Sequence, residues 1–136
     1  MTAGLTPFEL LGGIEPVTEL ANRFYDAMER DEPELTAVHR LSAPGRVHPE
    51  SRAAFALFLV FWLGGPPQYL AVHGHPRLRM RHNHIAIDTG QRDAWLRAMT
   101  TAMDEMAITG DVRAYLDQRF ATVAEAMRNT PDAPSG

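Results

Sequence analysis

Gly74-His75-Pro76-Arg77-Leu78-Arg79-Met80-Arg81-His82, continued through Arg92-Asp93-Ala94-Trp95-Leu96, is the stretch on which the reading of this sequence turns. With His84 it holds three of the six histidines. It is too basic and irregular for an ordinary amphipathic helix. Pro76 lacks an N–H and has a fixed φ, so it can only start a helix. That helix is short, ending near His82. Ile85-Ala86-Ile87 reads as extended or loop, and Asp88 with Gln91 marks a new helix start. His82 therefore sits at the end of a short Arg-rich helix, just ahead of the helix that carries Trp95. A neutral imidazole held there is a candidate axial metal ligand.

Working outward, the chain reads as helices. Ile14, Val17, Ala21, Phe24 and Met28 recur at intervals of three and four, the stripe of a helix packed on a core. Pro16 falls in its first turn, and Tyr25 lies at the edge of the stripe, within inward reach. Pro7 to Leu11 forms a short helix stopped by Gly12-Gly13. Pro33 ends the long helix, and Leu35, Val38 and His39 make a short turn. Residues 40–48 read as a loop. Pro49 opens a helix with Phe55, Phe58, Leu59 and Trp62 inward, broken by Gly64-Gly65-Pro66-Pro67. A loop through Tyr69 follows. From about Thr89 a helix buries Trp95, Met99, Met103 and Met106. Thr109-Gly110-Asp111 stops it and caps the last helix, with Val112, Leu116, Phe120, Val123 and Met127 inward. No strand is expected. The fold class is all-α, with a flexible tail over 1–6, one domain over 7–128 and a disordered tail over 129–136.

A chain of 136 residues fits one domain. A domain of this size buries roughly two-thirds of its unfolded surface, enough for a core with an internal cavity. The net charge of −4 argues against nucleic acid as the main partner. The absence of cysteine removes disulfides, thiolate metal sites, covalent c-type haem attachment and cysteine nucleophiles. No apolar run reaches the length of a membrane span, and no signal peptide is recognisable, so the expected location is cytoplasmic.

No hydrolytic elbow, phosphate loop or zinc-protease motif is present. His73-x-His75 and His82-x-His84 have poor zinc spacing, because side chains two apart on a helix diverge. What remains is one well-placed histidine with polar aromatics elsewhere. Haem iron needs such an imidazole on one face and an open position on the other. Bound O2 accepts hydrogen bonds, and Tyr25 O–H, His39 N–H and Trp95 N–H are suitable donors. Each also has a plain reading: a core-edge tyrosine, a loop histidine in water, a core tryptophan. Arg77, Arg79 and Arg81 make either a solvated face or cations for haem propionates. Composition alone does not choose.

The sequence resembles the group II truncated haemoglobins. The resemblance is carried by Phe24-Tyr25, by Trp62-Leu63-Gly64-Gly65-Pro66-Pro67-Gln68-Tyr69, by residues 74–82 and by Arg92-Asp93-Ala94-Trp95-Leu96-Arg97. It implies a two-over-two helical sandwich around non-covalent haem b, with Gly12-Gly13 and Gly64-Gly65 as diglycine turns. It puts His82 on the proximal iron ligand, and Tyr25, Trp95 and His39 on distal positions that bond the ligand. Tyr69 and Arg81 match positions that meet the propionates, and Ser51 and Phe55 would line the distal helix. Phe58, Leu78, Ile87 and Met99 complete the expected haem contacts. The sequence departs from the family where Asn83-His84-Ile85 replaces the usual Ala-Pro-Phe, and in a longer loop between His39 and Ser51. Ala54 stands where a basic residue often holds a propionate, with Arg52 as a substitute.

The function implied is binding of O2, and of NO, CO or peroxide. NO dioxygenase or peroxidase-like activity would need a separate reductase, since no flavin or nicotinamide motif is present. A homodimer and a gas-sensing role stay open. The competing reading is a haem-free helical module whose Arg-rich 77–81 stretch binds an acidic partner.

Overall fold

The computed structural model describes residues 5–74 and 88–128. His75, Leu78, Arg81, His82, His84 and Ile87 lie outside the described residues. Seven helices are described: α1 (Pro7–Leu11), α2 (Ile14–Asp31), α3 (Pro33–Ala37), α4 (Pro49–Trp62), α5 (Gln68–His73), α6 (Thr89–Glu105) and α7 (Gly110–Met127). Between α3 and α4 stands a hairpin of β1 (Leu41–Ala43) and β2 (Arg46–Val47).

Local chemistry sets most helix ends. Thr6, assigned to the tail by the sequence, caps α1. Its hydroxyl accepts the Glu9 N–H at 3.2 Å, and the Glu9 carboxylate accepts the Thr6 N–H at 3.1 Å. Asp88 caps α6 by accepting the Gln91 N–H at 2.9 Å. His48 caps α4, its Nδ1 accepting the Glu50 N–H at 3.1 Å, and Pro49 takes the first helical position.

α2 is the spine. It packs on α4 along one side and on α6 along another, and α6 also carries α7. The result is two helix pairs laid over one another. The predicted stripe is buried at Val17, Ala21, Phe24 and Met28, together with Leu20 and Ala27. Ile14 departs from it and is 49 % exposed. As the first helical residue it sits at the rim, in an open groove with Leu57 and Val60. On α6, Trp95, Met99 and Met103 are buried as expected, whereas Met106 caps the helix and is only half-buried. On α7, Leu116, Phe120 and Met127 are buried, with Val112 and Val123 packed at the edge.

Two elements differ from the sequence reading. Residues 40–48 contain the antiparallel hairpin, pairing Leu41 with Val47 and Ala43 with Arg46. Its strands are too short to show alternation, and its partner on α2 is distant in sequence. The presumed loop through Tyr69 is the helix α5, because Gln68 to His73 contains no breaker and Gly74 ends it.

The diglycine at 64–65 is required by close approach. A Cβ on Gly65 would lie 2.6 Å from the Phe8 ring and 2.8 Å from the Val60 carbonyl oxygen. Gly64 has φ +101, and a Cβ there would meet Thr6 at 2.7 Å. The Phe8 N–H donates to the Leu63 carbonyl at 2.9 Å, so α1 is clamped on the end of α4. Gly65→Ala should therefore cost ~1–3 kcal/mol through overpacking. The check is urea unfolding, with a lower midpoint and an unchanged slope.

Candidate functional site

A cavity of about 280 Å³ opens between α2, α4, α5, α6 and α7. Of the site residues expected from the sequence, Tyr25, His39, Ser51, Phe55, Phe58, Tyr69 and Trp95 line it. Met99 is not among the lining residues; it is 1 % exposed and belongs to the core behind the cavity. Ala54, Val123 and Met127 complete the wall. Val123 and Met127 carry ordinary core periodicity, and only the fold turns them to this space. The expected proximal residues, His82 with Leu78, Arg81 and Ile87, fall outside the described residues.

The wall is mostly aromatic and interlocked. Phe24 lies under it, with ring centroids 5.0 Å from Tyr25, 5.2 Å from Phe55 and 5.1 Å from Trp95. Phe55 stands edge-on to Tyr25 at 5.6 Å and to Trp95 at 6.3 Å. Tyr69 is edge-on to Phe58 at 5.6 Å. Such contacts fix ring planes as well as filling volume.

Against this apolar wall stand two polar tips. Tyr25 is 5 % exposed and Trp95 8 %. No hydrogen bond from the Tyr25 hydroxyl or the Trp95 indole N–H is found among the described residues. Yet no side-chain nitrogen or oxygen there is both sealed from solvent and unpartnered. The two tips therefore open into the cavity, where each offers an N–H or O–H to a guest.

Tyr25 is held from beneath. The Arg52 guanidinium lies 5.5 Å from its ring centroid. Arg52 is held in turn by Asp26 at 2.9 Å, Glu29 at 3.0 Å and the Asn22 carbonyl at 3.2 Å. These partners occupy the side chain offered above as a substitute propionate cation. Glu29, which sequence reasoning passed over, also accepts the Val47 N–H at 2.7 Å. It ties α2 to β2 and α4 at one point. Its signal is faint: an acid one turn past Tyr25 on the helix.

His39 lines the cavity as the sequence led one to expect. Its Nδ1 lies 2.8 Å from the Leu35 carbonyl oxygen. A carbonyl only accepts, so Nδ1 carries a proton and donates it to α3. The motif at 92–97 resolves into an inward Trp95 flanked by anchors. Arg97 grips Glu32 through two bonds of 3.0 and 2.7 Å, and Arg92 pairs with Glu125.

Residues 6–129 match the family model of the bacterial-like globins. The chain is 36 % identical to the group 2 truncated hemoglobin YjbI of Bacillus subtilis (strain 168), over 93 % of this chain and 91 % of that protein. It belongs to the group II truncated haemoglobins. Its fold superposes on the group II truncated hemoglobin of Bacillus anthracis with a TM-score of 0.86 at 35 % identity, covering 95 % of each chain. A truncated oxygen-avid haemoglobin from Bacillus subtilis gives 0.80 at 35 % identity, over 91 % of this chain and 99 % of that one. The two-over-two helical sandwich expected from the sequence is thus the architecture of this truncated haemoglobin. Membership of the globin family carries haem binding with it, and diatomic gases as ligands. No helix among the described residues is long and apolar enough to cross a membrane.

The site also fits the cofactor on its own terms. An aromatic, apolar cavity with donors on one wall is what the gas-binding face of a flat, greasy macrocycle requires. Burial pushes the Tyr25 phenol up from its ordinary value of 10.0, and the positive charge of Arg52 pulls it down by less. Tyr25 is therefore a neutral donor throughout the physiological range. The stability of the neutral phenol is fully present below the ordinary tyrosine value and is lost as pH rises through the raised one. In an alkaline titration, Tyr25 should ionise last and together with unfolding. Tyr25→Phe should remove that late phenolate absorbance; an unchanged titration would show that Tyr25 is not held neutral.

Proposed function

We propose that this truncated haemoglobin binds haem b non-covalently, with His82 as proximal iron ligand, and holds O2 against the wall formed by Tyr25 and Trp95. The observation that carries this reading is the pair of unpartnered donors facing an apolar cavity. Haem supplies an iron with one open coordination position for a diatomic ligand. The chain supplies the rest. Phe55, Phe58, Val123 and Met127 exclude water, and the Phe24 ring fixes the planes of Tyr25 and Trp95. Tyr25 O–H and Trp95 N–H donate to the gas and slow its release. A proximal imidazole is fixed in its tautomer when its second ring nitrogen donates to an acceptor, and His82 would be held in that way. The oxygen avidity ascribed to the Bacillus subtilis structure is in keeping with such a wall.

The same donors suit NO and CO as ligands. They also suit turnover of bound oxygen with NO to nitrate, or of peroxide, with electrons from a separate reductase. The expected setting is the cytoplasm. A haem-free module using the 77–81 arginines would leave the two inward donors without a task.

The first test is the absorption spectrum of the purified protein, ferric, reduced and with CO. A Soret band that moves on CO binding supports the proposal, and its absence after adding haemin defeats it. Each donor bond contributes about 1 kcal/mol. Trp95→Phe and Tyr25→Phe should each speed O2 release by a few-fold to about tenfold in stopped-flow measurements. Release unchanged in both would remove the distal assignment. His82→Ala should abolish stable haem uptake; a normal Soret band in that variant would move the ligand role to His84 or His75.

A further inference from the structure

We propose that Arg52 is a positioning residue for gas binding. It lies against the Tyr25 ring, holds that ring in place and strengthens its O–H as a donor, without lining the cavity itself. The inference rests on the haem reading above. It adds a residue behind the wall that sets how firmly the guest is held.

The first observation is where Arg52 goes. Its α4 neighbours Ser51, Ala54 and Phe55 line the cavity, and Arg52 does not. Its side chain is 18 % exposed and runs to α2. There it meets the Asn22 carbonyl at 3.2 Å, the Asp26 carboxylate at 2.9 Å and the Glu29 carboxylate at 3.0 Å. Residues 22, 26 and 29 are spaced four and three apart, so they share one face of the helix with Tyr25 among them. The second observation is the contact this leaves. The guanidinium carbon lies over the Tyr25 ring, 5.5 Å from its centroid, within cation–π range. The third is how little else holds Tyr25. Its hydroxyl makes no hydrogen bond among the described residues, and its ring meets the neutral rings of Phe24 at 5.0 Å and Phe55 at 5.6 Å. Among the described residues, the cation against this ring is Arg52.

A positive charge over an aromatic face draws electron density away from the phenol oxygen. The O–H then donates more strongly to an oxygen that gathers negative charge, and the effect is larger in an apolar surround than in water. The charge of Arg52 accordingly opposes the upward push that burial exerts on the phenol. Arginine keeps its proton throughout the range in which proteins fold, so this influence is constant. It is also fixed in place. Glu29, which grips Arg52, accepts the Val47 N–H at 2.7 Å, so α2, α4 and β2 hold the cation together. No proton or electron moves. Arg52 changes the strength of one hydrogen bond, made by another residue.

The test uses the haem-loaded full chain. Arg52→Gln removes the charge. Because it strands the Glu29 carboxylate, the paired variant Arg52→Gln with Glu29→Gln is made beside it. In both, O2 release should speed about two- to fivefold, the range that a cation–π contact is worth. Arg52→Lys keeps the charge and should fall between these variants and wild type. Independently of any rate, the infrared C–O stretch of the ferrous CO form rises as a distal donor weakens, and it should rise in Arg52→Gln. The deciding step repeats the change in a Tyr25→Phe background. There neither O2 release nor the C–O stretch should respond, because the O–H through which Arg52 acts is gone; a merely structural role would show in both backgrounds. An equal response in the two backgrounds, or none with Tyr25 present, overturns the proposal. Either result with a normal Soret band overturns this inference alone, whereas no Soret band in the wild-type chain after adding haemin takes the haem reading down with it.

Discussion

The Phe24 ring decides how closely α2, α4 and α6 can approach. It is buried at the crossing of the three helices and touches an aromatic residue on each: Tyr25, Phe55 and Trp95. Because interiors pack near crystal density, a rigid ring there sets the spacing for everything around it. Its three neighbours form the cavity wall. The core contact that joins the helix pairs is therefore the same contact that sets the wall for a guest.

A second constraint is electrostatic. Glu29 is largely buried and meets the Arg52 guanidinium and the Val47 N–H together. A buried carboxylate is costly unless its lone pairs are filled. Here they are filled from two other elements, so the charge fastens the hairpin and α4 to α2. Arg52, drawn into this cluster, lies beneath Tyr25 rather than at the cavity rim. The Tyr25 ring is thus supported from behind, by groups that are not among the residues lining the cavity.

The outcome is a largely apolar cavity with two donors turned into it. Tyr25 and Trp95 are donors in a mostly apolar surround, where a hydrogen bond counts for more than in water. His39 lines the same space with its Nδ1 against the Leu35 carbonyl. Donors suit a guest that accumulates negative charge.

The helices themselves were legible in the sequence, because their causes are local. The three-and-four spacing from Val17 to Met28 marks a buried stripe. Asp88 with Gln91 marks a start, and Gly64-Gly65 a break. The motifs at 24–25, 62–69 and 92–97 also pointed to the globin family, and the first and last of them to Tyr25 and Trp95. What only the tertiary structure decided involves partners far apart in the chain. Glu29 is one more acid on a helix until Val47 and Arg52 arrive. Residues 41–47 are too short to announce a hairpin. Val123 and Met127 look like core until the helices leave a space beside them, and Met99 looks like lining until they leave none. For His39, which nitrogen holds the proton depends on where the Leu35 carbonyl lies. Periodicity and caps are written within a few residues; burial, pairing and tautomer are settled only when distant surfaces meet.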